Sequence, residues 1–82
     1  MAILNITYAG RSADLAVHLD DQIADADIKR IAAEMLRSGE LAGLHVTNLP
    51  AGAFRDFVID RSVDSNGVRR FYLRPKVPFG AA

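Results

Sequence analysis

The sequence predicts an α+β fold, a mixed sheet of ββαβββ order packed on one helix. Three observations predict it. Apolar and polar residues alternate with period two at both ends of the chain, a single stretch between them has helical spacing, and glycines fall where the alternation must reverse. With 82 residues, half of them apolar, the chain makes one domain with a single modest core. Residues 1–75 are expected to form that domain and 76–82 an extended tail.

The first hairpin comes from "ILNITYAGRSADLAVHL". Leu4, Ile6 and Tyr8 alternate with Ile3, Asn5 and Thr7, and Leu15, Val17 and Leu19 alternate with Asp14, Ala16 and His18. The turn is read as Ala9-Gly10-Arg11-Ser12, with Gly10 supplying the positive φ of a tight connection. In "DDQIADADIKRIAAEMLRSG", Ile28, Ile31, Ala32, Met35 and Leu36 fall on one face, with Lys29, Arg30, Glu34 and Arg37 on the other. This is an amphipathic helix of about three turns. Asp25 is the expected N-cap, Asp27 complements the helix dipole, and Gly39 supplies the left-handed C-terminal cap.

"LAGLHVTNL" predicts a short strand at 44–47. The last hairpin, "FRDFVIDRSVDSNGVRRFYLRP", has a register that can be argued from its pattern. A two-residue Asn66-Gly67 turn would put Phe71 opposite Ser62 and Leu73 opposite Asp60, mixing core and solvent positions. A three-residue loop Ser65-Asn66-Gly67, with Gly67 left-handed, pairs Leu73 with Ile59 and Phe71 with Arg61 instead. Phe57, Ile59, Phe71 and Leu73 then share the core face. Val58, Asp60, Ser62, Arg70, Tyr72 and Arg74 share the other.

Formal charge is zero overall, but the chain is acidic to Ala42 and basic from Gly43 onward, which predicts an electrostatically polar molecule. Without cysteine there are no disulfides, thiol nucleophiles or cysteine metal sites. No apolar run approaches the roughly 18 residues of a membrane span. "MAILNITYAG" has no basic region ahead of an apolar one, so a soluble, cytoplasmic protein without a membrane partner is expected. His18 and His45 lie on different predicted strands, and no serine has a nucleophile-elbow context, so the chain is read as a non-enzyme with no cofactor and no metal. "DDQIADAD" lacks the glycine and distal glutamate of a calcium loop and is read as helix capping.

In element order, in the "VHLDDQIADADIKRIAAEML" entry to the helix and in the "FYLRPKVPFG" exit from the final strand, the chain resembles the β-grasp, or ubiquitin-like, fold. It looks like a ubiquitin-type modifier of the bacterial kind encoded beside E1-like and E2-like enzymes and a metallopeptidase. That resemblance implies conjugation through Gly80, after a peptidase removes Ala81-Ala82, with transfer to target amines by E1-like and E2-like enzymes. A residue without a Cβ suits close approach to a reacting carboxylate. The tail departs from the ubiquitin pattern in having Phe79 before a single glycine and prolines at positions 75 and 78. Those prolines make it a pre-extended arm, which loses less entropy when a channel captures it.

Other readings of the residues stand beside this one. The prolines can simply end a strand. Val77 and Phe79 can anchor on the domain itself or on a partner that performs no conjugation. The outward face of the last hairpin, with Val58, Arg70, Tyr72 and Arg74 and continuing to Lys76 and Phe79, suits an adaptor or inhibitor that binds proteins noncovalently. Alternatively, Asp60 pairs with Arg70 or Arg74 in a solvated ladder. Nucleic acid, contacted by Arg55, Arg61, Arg69, Arg70, Arg74 and Lys76, is the weaker reading for a chain of neutral total charge. Oligomeric state is not predicted.

Overall fold

The computed structural model describes residues 1–76, which form two hairpins flanking one helix: β1 (Ala2–Tyr8), β2 (Arg11–Val17), α1 (Asp25–Ser38), β3 (Phe57–Val63) and β4 (Arg69–Pro75). The four strands make one mixed sheet in the order β2-β1-β4-β3. Each hairpin is antiparallel, and the two are joined at the middle by parallel pairing of β1 with β4, Leu4 beside Phe71 and Ile6 beside Leu73. The expected α+β class is present, with one strand fewer than expected.

In the first hairpin Tyr8 pairs with Arg11, so the turn is Ala9-Gly10 alone rather than the four residues expected. Both turn residues have positive φ, 51° and 80°. This mirror-image turn matches the strand twist, and the glycine makes it accessible. The last hairpin adopts the predicted register: Ile59 pairs with Leu73 and Arg61 with Phe71. Its loop is Ser65-Asn66-Gly67, with Gly67 at φ 80°.

The predicted strand at 44–47 does not form. Its backbone donors are committed elsewhere: Val46 N–H donates to the Leu36 carbonyl of the helix (2.8 Å) and Leu44 N–H to the Leu41 carbonyl in a local turn (3.2 Å). The His45 ring nitrogen Nε2 lies 3.1 Å from the Arg37 carbonyl, to which it donates. The segment therefore wraps the helix end, and Leu41, Leu44 and Leu49 enter the core from a loop instead of alternating on a sheet. The helix is longer than expected, 14 residues, and its N-cap is Ala24 without a side-chain cap bond. Asp25 is displaced into the first turn, where its carboxylate serves another purpose described below. Gly39 closes the helix in the left-handed conformation (φ 79°), donating to the Met35 carbonyl.

The core lies between α1 and one face of the sheet. Ile28, Ala32 and Leu36, spaced by four, are buried against Ala2, Leu4 and Ile6 of β1 and Phe71 and Leu73 of β4. The loop after the helix supplies Phe54, whose ring meets Tyr8 and Phe57 at centroid distances of 5.8 and 4.9 Å. This aromatic cluster closes one end of the core.

Leu4 and Phe71 are 0 % and 3 % exposed and stand side by side across the parallel pair. Leu4→Ala is expected to lower stability by about 2–5 kcal/mol. That is a large share of the roughly 5–15 kcal/mol typical of a domain. Urea unfolding followed by circular dichroism checks it.

Candidate functional site

Among the described residues the helix covers one face of the sheet, and the other face carries no element. The register fixes what it displays. Ala16, Ile3, Arg70 and Ser62 form one row across the four strands, and Asp14, Asn5, Tyr72 and Asp60 the next. Val58 and Arg74 stand opposite each other beyond them. The predicted outward residues Val58, Arg70, Tyr72 and Arg74 thus share one face with Ile3 and Asn5 of β1, two neighbours that the pattern of the last hairpin did not bring in. Lys76 is exposed, and its backbone N–H donates to the Asp56 carbonyl (3.2 Å), carrying the ladder past Pro75. The sites predicted at Phe79 and Gly80, with Ala81-Ala82, lie outside the described residues.

The two halves of this face differ. On β1 and β2 a polar network occupies it: the Asn5 amide donates to Ser12 Oγ (2.9 Å) and Asp14 Oδ1 (2.6 Å). On β3 and β4 the arginines are paired. Arg74 Nε donates to Asp60 Oδ2 (2.7 Å), and Arg70 Nε donates to Asp64 Oδ2 (3.1 Å). The ladder reading therefore holds for Arg74, whereas Arg70 reaches into the hairpin loop. Half-buried Tyr72 stands between the two arginines on the same strand.

Asp64 organises that loop. Its Oδ1 accepts from the backbone N–H of Val68 (3.0 Å) and Asn66 (2.9 Å). Those bonds, Val68's first, and the Arg70 hydrogen bond hold its carboxyl below the ordinary aspartate value. The same contact holds the Arg70 guanidinium more firmly protonated.

Arg61 and Arg69, considered from sequence as phosphate contacts, are turned to the helix side and hold the loop between β2 and α1. Arg61 Nη2 donates to the Ile23 carbonyl (2.7 Å) and to Asp25 Oδ1 (2.5 Å), while its guanidinium lies 5.4 Å from the centroid of the Phe71 ring. Arg69 donates to the Leu19 carbonyl (3.1 Å) and pairs with Asp21. The acidic first half and basic second half, expected to make the molecule electrostatically polar, are thus partly docked on one another through these two pairs. A cleft of about 160 Å³ between Asp21, Arg61, Val63 and Arg69 marks the seam.

His18 and His45 are both exposed and neither lies on a strand; His45 caps the helix end and packs on Gly39. Among the described residues no group of three potential metal ligands converges. No helix there is long and apolar enough to cross a membrane. The chain matches no protein-family model, and no curated protein or solved structure matches it.

Asp64 has a depressed folded-state pKa, so its contribution to stability is complete above the ordinary aspartate value of about 3.9 and is lost as pH falls through the lower folded value. Asp64→Asn should therefore be less stable than the parent near neutrality, with the gap narrowing as pH drops below about 4. Paired urea titrations across that range measure the gap.

Proposed function

We propose that this chain is a β-grasp protein of the ubiquitin-like kind that acts by engaging other proteins through the open face of its sheet. The observation that carries this reading is that face itself. Tyr72, Val58 and Ile3 supply apolar area, and Arg70 and Arg74, held in place by Asp64 and Asp60, frame it. Aromatic and arginine side chains of this kind dominate binding hot spots. A guanidinium already fixed by a carboxylate loses less rotamer entropy on binding than a free one. The sheet order, with the first and last strands paired in parallel at its centre and one helix across one face, is compatible with a β-grasp.

The second reading makes the protein a covalent modifier. Gly80, freed by removal of Ala81-Ala82, would present its carboxylate for adenylation by an E1-like enzyme, and an E2-like enzyme would pass it to a target amine. What favours this reading is the position of β4: it is a central strand, and it ends at Pro75, just past Arg74 of the open face.

The two readings separate by experiment. For the binding module, Tyr72→Ala and Arg74→Glu should each weaken partner capture by about tenfold or more, while deletion of residues 77–82 leaves it intact. Surface plasmon resonance against an immobilised partner measures this. For the modifier, incubation with a cognate E1-like enzyme and ATP should give a thioester adduct that disappears with Gly80→Ala. An unprocessed C-terminus by mass spectrometry of the protein from its native cell speaks against conjugation.

A further inference from the structure

The side of the molecule away from the open sheet face carries a groove that the proposed function does not use. It runs between α1 and the turns at 50–55, encloses about 410 Å³, and is lined by Lys29, Arg30, Arg37 and Arg55 over a floor that includes Ala33 and Phe54. No carboxylate lines it. Outside the groove most basic side chains are consumed: Arg61, Arg69, Arg70 and Arg74 each hold an aspartate, and Arg11 and Lys76 stand apart from one another, at the start of β2 and just past β4. In the groove only Arg30 has acidic partners, the exposed Asp27 and Glu34 of its own helix at 3.6 and 3.7 Å. Among the described residues Lys29, Arg37 and Arg55 form no ion pair.

The groove is also shaped by its backbone. Arg37 Nη2 donates to the Leu49 carbonyl (3.0 Å), tying the helix to the segment that enters the turns. Ala53 N–H donates to Pro50 (3.2 Å) and Arg55 N–H to Gly52 (3.0 Å), so the opposite wall is a run of hydrogen-bonded turns. Gly52 has φ 76°, and a Cβ there would stand 3.3 Å from the Arg55 guanidinium, so that side chain lies folded over the glycine at the rim. Ala26 and Ala33 on the helix wall leave room for another backbone to approach.

We propose that this groove binds an acidic peptide segment in extended conformation, its carboxylates meeting Lys29, Arg37 and Arg55 and its small apolar side chains lying on Ala33 and Phe54. From Ala26 to Arg37 the helix runs about 16 Å, the length of about five extended residues. Phe54 is 4 % exposed and no other aromatic ring lines the groove, so there is no platform for stacking a base. A peptide is favoured over a nucleic acid on that ground.

The test is fluorescence anisotropy with a short fluorescein-labelled peptide that alternates Glu with Ala and Val, against the full chain at low and physiological salt. Binding is expected, absent for the same peptide with Lys in place of Glu. Lys29→Glu and Arg55→Glu are each expected to weaken it by about tenfold or more. Arg11→Glu makes the same charge change at the first hairpin and should leave it within about twofold. Circular dichroism verifies that each variant is folded, and amide shifts in the unsubstituted protein should map to 26–37 and 50–55. Three outcomes overturn the proposal: no binding, equal loss with Arg11→Glu, or tighter binding of a single-stranded oligonucleotide that the same variants abolish.

Discussion

Parallel pairing of β1 with β4 is the contact on which the rest of the architecture hangs. Each hairpin alone is a two-stranded ribbon of marginal stability. Setting Leu4 beside Phe71 and Ile6 beside Leu73 merges them into four strands with one continuous apolar face. The pairing also dictates the connection. β2 and β3 become the two outer strands, so the chain must pass from one edge of the sheet to the other, and the helix is the element that makes the passage. Ile28, Ala32 and Leu36 then cover the seam between the hairpins.

A second constraint keeps that passage in place. The loop into the helix holds Asp20 and Asp21, Asp25 opens the helix itself, and the loop carbonyls at Leu19 and Ile23 have no strand to pair with. Arg61 and Arg69, neighbours across the last hairpin, supply donors to those carbonyls and charges to Asp25 and Asp21. For Arg61 the planar guanidinium does both at once, lying over the Phe71 ring while its N–H groups reach the loop. The cost is functional: two arginines that sequence alone left available for phosphates are occupied within the fold.

How far the sequence could be read follows from which interactions are local. The register of the last hairpin was legible because only one loop length keeps Phe71 and Leu73 on the same face as Ile59, and a one-residue slip would reverse that face. The outward positions of Val58, Arg70, Tyr72 and Arg74 followed from the same parity. The segment at 44–47 was misread because Leu44 and Val46 alternate like a strand, whereas their burial is decided by the helix end 8 to 10 residues earlier, through Val46 to Leu36 and His45 to Arg37. Asp25 was read as a cap because capping is a local rule, and Arg61, 36 residues away, competes for the same carboxylate. The groove was invisible in sequence: Lys29, Arg37 and Arg55 come together only when the turns at 50–55 fold back along the helix.

These constraints divide the surface by how its charges are used. On the open sheet face every arginine has an aspartate beside it, so a long-range field there is largely cancelled, and the proposed recognition rests on contact with Tyr72, Val58 and Ile3. Paired charges of that kind orient a partner and reject wrong ones more than they attract. Along the helix groove Lys29, Arg37 and Arg55 form no ion pair among the described residues, and attraction at a distance is what unpaired charge supplies. The neutral total charge of the chain hides this division. The two proposed sites thus differ in kind, one suited to selection by shape and the other by charge, because Asp60 and Asp64 neutralise the sheet's arginines while nothing equivalent lines the groove.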